Sequence, residues 1–302
     1  MKLGFIGLGR MGGHMVTRLV DAGHEVIIAG RNPEHVAAAA KTSGAIPASG
    51  YTDLVKRLGE DPIIWLMVPQ AAVDDQLEQL LPLLPKGALI VDGGNSDFRL
   101  TVKRAGRLKA AGFEFADCGT SGGILGATAG YCLMVGGEPA MVKRLEPAFE
   151  VLAQKGGWGH FGPAGSGHYI KMIHNAVEYG LMESYAEGYR LLQAGQSFPA
   201  LDLAKIAEVW QHGSIVASDL NGLAAGIFQT NPELSGIDGY VAETGEARWT
   251  LEQAATEHME LPAIQAAMDV RKASQAGHVN FGTKLLAALR QAFGGHAIGK
   301  PQ

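Results

Sequence analysis

The first residues of the chain combine a short strand, a glycine turn and a helix, and this combination constrains the fold more than any other feature. Lys2–Ile6 have the apolar pattern of a buried strand, and residues 15–22 have the pattern of a helix. Between them, Gly7, Gly9 and Gly12 follow the spacing GxGxxG. The first glycine allows a tight turn, the second lets a pyrophosphate approach the backbone, and the third lets helix and strand pack closely. The sequence therefore predicts that the chain opens with a dinucleotide-binding unit.

Apolar segments and helical patterns alternate over the rest of the first half, as expected for an open sheet of parallel strands. Further strands are predicted at residues 25–29, 63–68, 88–91, 113–118 and 131–135, and helices at 33–41, 73–84 and 141–152. A glycine-rich stretch at residues 156–167 marks a change of pattern. Only helices are predicted beyond it, at residues 167–193, 201–211, 214–228, 248–257, 263–275 and 280–293. We expect an α/β Rossmann-like domain over residues 1–166 and an all-α domain over residues 167–302.

The composition limits the classes of partner. The chain has 302 residues, 47% of them hydrophobic and 18% charged, which is typical of a soluble globular protein. The net charge of −5 argues against nucleic acid as a partner. The sequence contains no run of about 18 apolar residues that would span a bilayer. Cys118 and Cys132 have neither the spacing of a zinc site nor that of a disulfide framework, so we expect a cytoplasmic protein that uses no metal.

The end of the second predicted strand bears on the choice of cofactor. There, Gly30, Arg31 and Asn32 stand where enzymes that prefer NAD usually present an acidic side chain to the ribose. Arg31 can pair with the 2′-phosphate of NADP, although it can also stack on the adenine. Asn32 followed by Pro33 is typical of an N-cap and a first helical residue. The site thus favours NADP, with NAD kept open.

Two polar loops follow later strands, at the edge where open α/β sheets bind ligands. Asn95, in the loop DGGNS, is a candidate to reach the nicotinamide or the substrate, and it is equally suited to cap the helix that follows Asp97. In the second loop, Ser121, Gly122 and Gly123 offer a hydroxyl and backbone N–H groups to a carboxylate, unless the loop is only a flexible connection. Candidate cofactor-binding residues are Gly7, Leu8, Gly9, Arg10, Met11, Gly12, Arg31, Asn32, Val68 and Asn95.

A polar stripe marks the long helix predicted after the glycine-rich stretch. In GHYIKMIHNAVEYG, residues 167–180, the side chains Lys171, His174, Asn175 and Glu178 fall at i, i+3, i+4 and i+7, a spacing that normally belongs to an apolar core face. Such a set can hold a polar substrate and move its protons, whereas the alternative is a solvated surface with ion pairs. Apolar residues on the opposite face are expected to pack the helix against the core and leave the polar stripe free to line a cleft; they are Tyr169, Ile170, Ile173, Ala176, Val177, Leu181 and Met182.

The motifs GLGRMG, DGGNS, TSGG, GHYIKMIHNAVEYG and GEARWT, in this order, resemble those of the decarboxylating 6-phosphogluconate dehydrogenase family, and the resemblance covers essentially the whole chain. It implies oxidative decarboxylation of 6-phosphogluconate to ribulose 5-phosphate and CO2, with reduction of NAD or NADP. Lys171 would be the general base and then acid, and Glu178 the second acid. The implied substrate contacts are His174, Asn175, Ser121, Gly122 and Gly123, with Asn95 beside the nicotinamide.

The resemblance also implies a set of phosphate-binding residues. Tyr179, Arg248 and Arg271 match phosphate-binding positions, although the long members of the family carry lysine in place of Arg248. Arg290 and His296 match a C-terminal pair that comes from the neighbouring subunit in the family. We therefore expect a homodimer or homotetramer whose tail reaches the neighbouring site. The short helical half places the chain nearer to the short, mostly bacterial branch.

Two other functions remain open from the sequence. Another β-hydroxyacid dehydrogenase, such as one acting on 3-hydroxyisobutyrate, shares the glycine turn, the Ser-Gly-Gly loop and the lysine, but it needs no phosphate-binding cluster. A non-catalytic NAD(P)-binding protein would keep only the first half of the pattern. The presence of both Lys171 and Glu178 argues against this second alternative.

Overall fold

The computed structural model describes residues 1–299, which form two compact units that divide between Met172 and Ile173. The first unit contains a sheet whose strands are β1 (Lys2–Ile6), β2 (Glu25–Ala29), β3 (Ile46–Pro47), β4 (Ile63–Leu66), β5 (Leu89–Asp92), β6 (Glu114–Ser121), β7 (Tyr131–Gly136) and β8 (Ala153–His160). Their order across the sheet is β3-β2-β1-β4-β5-β6-β7-β8. Neighbouring strands are parallel except for β6 and β7, which run antiparallel.

Helices cover both faces of this sheet. They are α1 (Arg10–Asp21), α2 (Pro33–Ser43), α3 (Tyr51–Leu58), α4 (Gln70–Leu80), α5 (Phe98–Ala110), α6 (Gly126–Ala129) and α7 (Pro139–Leu152). Ile63 and Trp65 of β4 belong to the apolar cluster on one face, and Ile64 and Leu66 belong to the cluster on the other. Because both faces are buried, the strands read as continuous apolar runs rather than as alternating patterns.

The second unit is helical. The long helix α8 (Ser166–Ala194) begins in the first unit and continues into the second, where α9 (Leu203–Gln211), α10 (Asp219–Thr230), α11 (Glu246–Thr256), α12 (Pro262–Gln275) and α13 (Phe281–Gly294) follow. Tyr189 of α8 packs edge-on against Phe228, which stacks on Phe281. Across residues 1–299, the helices are either too short or too polar to cross a membrane.

The predicted fold class is confirmed, but several elements differ from the prediction. Strand β3 and helices α3 and α6 were not predicted, and β8 and α10 show why some bounds were missed. Strand β8 lies in the glycine-rich stretch, where a Cβ on Gly157 would come within 2.9 Å of the carbonyl oxygen of Gln154. The close backbone contact requires glycine there, which hides the strand pattern in the sequence. Helix α10 begins at Asp219 rather than at residue 214, because the Ser218 hydroxyl accepts a hydrogen bond from the backbone of Asn221 and caps the helix.

The buried face of α8 also differs from the prediction. Ala176, Tyr179, Met182, Ala186 and Tyr189 are buried and form its core face in the second unit. The expectation that Val177 and Leu181 would seat the helix is wrong, since each side chain is 51% exposed. Val177 follows the buried Ala176 and Leu181 precedes the buried Met182, and the 3.6-residue period of the helix turns both side chains outward.

Candidate active site

The glycine turn after β1 has the geometry that a dinucleotide requires. Gly7 has a φ of 104°, and a Cβ at this position would lie 2.1 Å from the carbonyl oxygen of Met67. A Cβ on Gly12 would lie 1.9 Å from the carbonyl oxygen of Gly7, so only glycine fits where α1 packs on the turn. At Gly9 no atom lies within 4 Å of the added carbon, so a ligand can approach the backbone there.

A cleft of about 280 Å³ lies at the carboxyl ends of β1, β2 and β4. The strand order reverses beside β1, which is where open α/β sheets bind ligands. The N-terminus of α1 follows the turn at Gly9 and favours a phosphate. The cleft is lined by Ile6, Gly7, Leu8, Gly9, Gly30, Arg31, Asn32, His35, Val36, Tyr51, Met67, Val68, Pro69, Ala72 and Gln76. The residues present therefore fit a nicotinamide dinucleotide.

The ribose end of this cleft carries a cation and no acid among its described lining residues. The Asn32 side chain accepts hydrogen bonds from the backbone of Glu34 and His35, at 2.9 and 3.2 Å, which confirms its role as the N-cap of α2. Arg31 is exposed, and its charge lies near enough to Tyr51 to oppose the rise in the Tyr51 pKa that burial causes. Arg10 is also exposed, whereas Met11 packs against the core.

Asn95 ties the DGGNS loop to a neighbouring strand of the first unit. Its side chain donates a hydrogen bond to the carbonyl oxygen of Thr120 at 3.3 Å and accepts one from the Thr120 N–H at 3.1 Å. The cap of α5 is Asp97, which accepts a hydrogen bond from the backbone of Arg99 at 2.9 Å. The capping alternative for Asn95 is thus excluded. Its amide instead ties the DGGNS loop to the end of β6.

The Ser-Gly-Gly loop begins where β6 ends. Ser121 is the last residue of β6, and Gly122 and Gly123 follow with φ of 118° and 52°. These left-handed conformations favour glycine and turn the chain toward α6. The carbonyl oxygen of Gly122 accepts a hydrogen bond from the N–H of Gly126 at 3.0 Å. The hydroxyl and backbone of this loop are half-buried or exposed, as a binding loop requires.

Helix α8 carries all four residues of the predicted polar stripe. Lys171 lies in the first unit and is only 4% exposed. His174, Asn175 and Glu178 lie in the second unit and are half-buried. The Asn175 amide donates a hydrogen bond to Oε1 of the buried Glu246 at 2.9 Å, and its oxygen lies 3.1 Å from Nδ1 of His174. The stripe is therefore not a solvated surface.

Two buried arginines surround Tyr179 in the second unit. The guanidinium carbon of Arg271, a residue that is 1% exposed, lies 3.3 Å from the centre of the Tyr179 ring. Burial, helped by the charge of Arg290, lowers the pKa of Arg271 to about 10, against the opposing effects of Tyr179, Glu178 and Glu183. Burial also lowers the pKa of Arg290, while Tyr179 and Glu178 oppose that shift. Two buried cations beside the same tyrosine create a strong local preference for an anion.

Arg248 and His296 are placed differently from this pair. The Arg248 guanidinium makes ion pairs with Glu243 at 3.2 Å and Glu252 at 3.3 Å, and about half of its side chain is exposed. The ring of His296 lies edge-on to Phe293, with 6.3 Å between the ring centres. The structure thus brings together Tyr179, Arg271 and Arg290 of the predicted phosphate set. Arg248 instead forms ion pairs with two glutamates.

Glu183 and Glu246 were not predicted from the sequence. Glu246 belongs to the GEARWT motif, and Glu183 falls between Tyr179 and Ala186 on the buried series of α8, so its position in the helical period is the signal that identifies it. Burial, followed by the charge of Glu187, raises the pKa of Glu183 to about 7, against the opposing charge of Arg271. Residues 1–299 contain no group of three His, Cys, Asp or Glu side chains that could hold a metal ion.

The raised pKa of Glu183 predicts how stability depends on pH. From its ordinary value of 4.5 up to about 7, the folded protein keeps a proton that the unfolded chain releases. The free energy of unfolding therefore falls as the pH rises through this window, and the loss is complete above it. Glu183→Gln removes this titration. The variant should be more stable than the natural chain at pH 8 by on the order of 3 kcal/mol, with a difference below about 1 kcal/mol at pH 5.

Urea unfolding at the two pH values measures this difference. Glu260→Gln, a change at an exposed glutamate of the same unit, is the control and should leave the pH dependence as it is. A Glu183→Gln effect of equal size at pH 5 and pH 8 would contradict the assignment.

Comparison with known proteins relates both halves to one enzyme. The NAD-binding domain of 6-phosphogluconate dehydrogenase matches residues 2–162, and the C-terminal domain of 6-phosphogluconate dehydrogenase matches residues 167–282. An NAD(+)-dependent, decarboxylating 6-phosphogluconate dehydrogenase of Haloferax volcanii is 44% identical over 99% of this chain and 99% of its own. The decarboxylating enzyme of Synechococcus elongatus is 35% identical over 89% of this chain, which spans 61% of that longer relative.

A solved structure agrees with these relatives. The 6-phosphogluconate dehydrogenase of Plasmodium falciparum, determined in its apo form and with NADP+ and 6-phosphogluconate, superimposes with a TM-score of 0.83 at 26% identity. The match covers 91% of this chain and 62% of that one. On its sequence, its fold and the match of both its halves, the chain belongs to the 6-phosphogluconate dehydrogenase family.

Proposed function

We propose that the chain catalyses the oxidative decarboxylation of 6-phosphogluconate to ribulose 5-phosphate and CO2 with an NAD(P) cofactor. The observation that carries this proposal is the pair of buried arginines around Tyr179, because a phosphate is the anion that such a pair suits best. His174, Asn175 and Glu178 lie on the same helix as Tyr179 and supply polar contacts for the hydroxyls of the sugar acid. The names of the relatives support the same substrate.

The glycine turn and the cleft beside β1 would hold the cofactor, whose nicotinamide accepts a hydride from the substrate when bound. Arg31 favours the 2′-phosphate of NADP, and the described residues that line the cleft include no acidic side chain for the ribose of NAD. The Haloferax volcanii relative is nevertheless NAD(+)-dependent. We propose NADP as the preferred cofactor and NAD as the competing choice.

Lys171 moves the proton in the first step. In its neutral form the amine takes the proton of the C3 hydroxyl as the hydride leaves C3, which produces a β-keto acid. The ammonium then donates a hydrogen bond to the new C3 carbonyl. When the carboxylate departs as CO2, the electrons of the broken C–C bond flow toward this oxygen, which takes a proton from the ammonium and becomes the hydroxyl of an enediol.

Glu178 completes the reaction. It donates a proton to the carbon that becomes C1 of ribulose 5-phosphate, while Lys171 takes back the proton of the C3 oxygen. Ser121 and the following glycines would hold the substrate near its carboxylate, with Asn95 beside the nicotinamide. Lys171 and Glu178, with separate roles, account for these proton transfers without a metal ion.

The expected homodimer or homotetramer, with a tail that serves the neighbouring site, stays a prediction. Arg290 is buried beside Tyr179 of its own chain, and Ile298 packs against the core of the same unit. This placement supports a contribution of Arg290 to the phosphate site of its own chain.

An assay of the purified protein tests the proposed function. Reduced-cofactor absorbance is followed with 6-phosphogluconate and either NADP or NAD, together with the release of CO2. We expect one CO2 per reduced cofactor. Absence of turnover with both cofactors, combined with activity on 3-hydroxyisobutyrate, would overturn the proposal in favour of another β-hydroxyacid dehydrogenase.

Arg31→Ala tests the cofactor preference. We expect the KM for NADP to rise by about tenfold or more, because a charge-assisted contact to the 2′-phosphate is lost, while the KM for NAD changes by less than about threefold. Initial rates with each cofactor provide the measurement, and NAD serves as the internal control. Equal increases for both cofactors would mean that Arg31 stacks on the adenine instead.

A further inference from the structure

One face of β6 contacts the beginning of α8. Asp117 is 0% exposed, and its two carboxylate oxygens accept hydrogen bonds from the backbone N–H groups of Gly165 and His168, at 2.6 and 2.8 Å. The first N–H groups of a helix have no partner within the helix. Asp117 therefore caps α8 from a neighbouring strand, and its negative charge matches the positive end of the helix.

Two glycines fix the position of this carboxylate. A Cβ on Gly136 would lie 2.5 Å from Oδ1 of Asp117. A Cβ on Gly167 would lie 2.2 Å from the carbonyl oxygen of Met134 and 2.9 Å from Oδ2 of Asp117. The first turn of α8 therefore packs directly on β6 and β7, and a side chain at either glycine would collide with the Asp117 carboxylate.

Gly119 makes the next contact along the same strand. A Cβ on Gly119 would lie 2.4 Å from the Cβ of Lys171 and 3.0 Å from the carbonyl oxygen of Gly167. Because side chains alternate along a strand, Asp117, Gly119 and Ser121 share one face of β6. The strand face that anchors the helix therefore also contacts Lys171 and ends at a candidate substrate residue.

We propose that Asp117 and Gly119 are positioning residues for Lys171. The Asp117 carboxylate sets where α8 begins, and the missing side chain of Gly119 lets the Lys171 stem lie against the strand. Together they fix the place of the amine relative to the end of β6. The inference rests on the proposed function, because it assigns Lys171 as the group that moves the proton.

Gly119→Ala in the 302-residue chain tests the proposal. The added methyl group must push Lys171 away, and a displacement of about 1 Å can cost about a hundredfold in rate. We expect kcat with 6-phosphogluconate to fall by about that factor, the KM for the cofactor to change by less than about threefold, and the pH profile of kcat to move. Asp117→Asn should act in the same direction, because an amide N–H replaces one acceptor in front of a backbone N–H.

Gly4→Ala is the matched control. For a Cβ on Gly4, in β1 of the same sheet, the three nearest atoms would be the flexible side-chain ends of Ile64, Leu58 and Leu54, at 2.9 to 3.1 Å. It should lower the melting temperature and leave kcat unchanged. If Gly119→Ala and Asp117→Asn also lower the melting temperature while kcat stays within about twofold, the two residues are merely structural and the proposal is overturned.

A second readout does not depend on the proposed function. Acetic anhydride is added to each folded variant, and mass spectrometry compares the acetylation rate of Lys171 with that of the exposed Lys155. Positioning predicts a severalfold change in this ratio for Gly119→Ala and Asp117→Asn and none for Gly4→Ala. An inactive natural chain would refute the proposed function, whereas an unchanged ratio would refute the positioning role.

Discussion

Replacing Lys171 with methionine is expected to lower kcat for 6-phosphogluconate by about 10²- to 10⁴-fold, the range that positioned acid–base groups contribute. Methionine keeps the length of the buried stem and removes only the group that takes and returns the proton. The side chain is 4% exposed and is absent from the lining of the cofactor cleft, so cofactor affinity should stay within about twofold. Steady-state rates and cofactor titration give the two measurements.

The same substitution at an exposed site provides the control. Lys155→Met, in β8 of the first unit, should leave both quantities unchanged. Melting curves establish that each variant is folded. Undiminished turnover in a folded Lys171→Met variant would remove Lys171 from the mechanism, and an equal loss of cofactor affinity would mean that it holds the cofactor instead.

Arg271→Lys should raise the KM for 6-phosphogluconate by about a hundredfold, with a smaller effect on kcat. Lysine keeps the positive charge but loses the planar guanidinium that stacks on Tyr179 at 3.3 Å and can offer two N–H groups to a phosphate. Inhibition by inorganic phosphate should weaken in parallel, because it competes for the same cations. Both constants come from initial rates.

Arg190→Lys, at an exposed arginine of α8, is the control for this change and should have no effect on either constant. A folded Arg271→Lys variant with an unchanged KM would place the phosphate elsewhere. Arg248 would then be the next residue to test, although its pairing with Glu243 and Glu252 makes it a weaker candidate.

The sequence predicted the features that arise from local chemistry. The glycine turn after β1, the N-cap at Asn32 and the polar stripe of α8 depend on residues close together in the chain, whose spacing carries the signal. Glycines with close backbone neighbours, such as Gly12 and Gly7, also give a pattern that can be read directly.

Features that depend on contacts between distant segments escaped prediction. Asp117 falls within the strand predicted at residues 113–118, and only the fold shows that its carboxylate caps α8. The stacking of Arg271 on Tyr179 joins two helices that are far apart in sequence, so no periodicity within either helix reveals it. Val177 and Leu181 were assigned to the core on their apolar character, whereas the neighbours of α8 decide which face is covered.

The paired hydrogen bonds between Asn95 and Thr120 have a consequence for how this part of the molecule can diversify. The Asn95 side-chain amide pairs with the backbone N–H and carbonyl of Thr120, as a neighbouring strand would. The loop after β5 and the end of β6 are therefore held in one relative position. An aspartate at position 95 would place an acceptor against the carbonyl oxygen of Thr120. We therefore expect the loop after β5 and the end of β6 to change together during evolution, with a change in one selecting for a compensating change in the other.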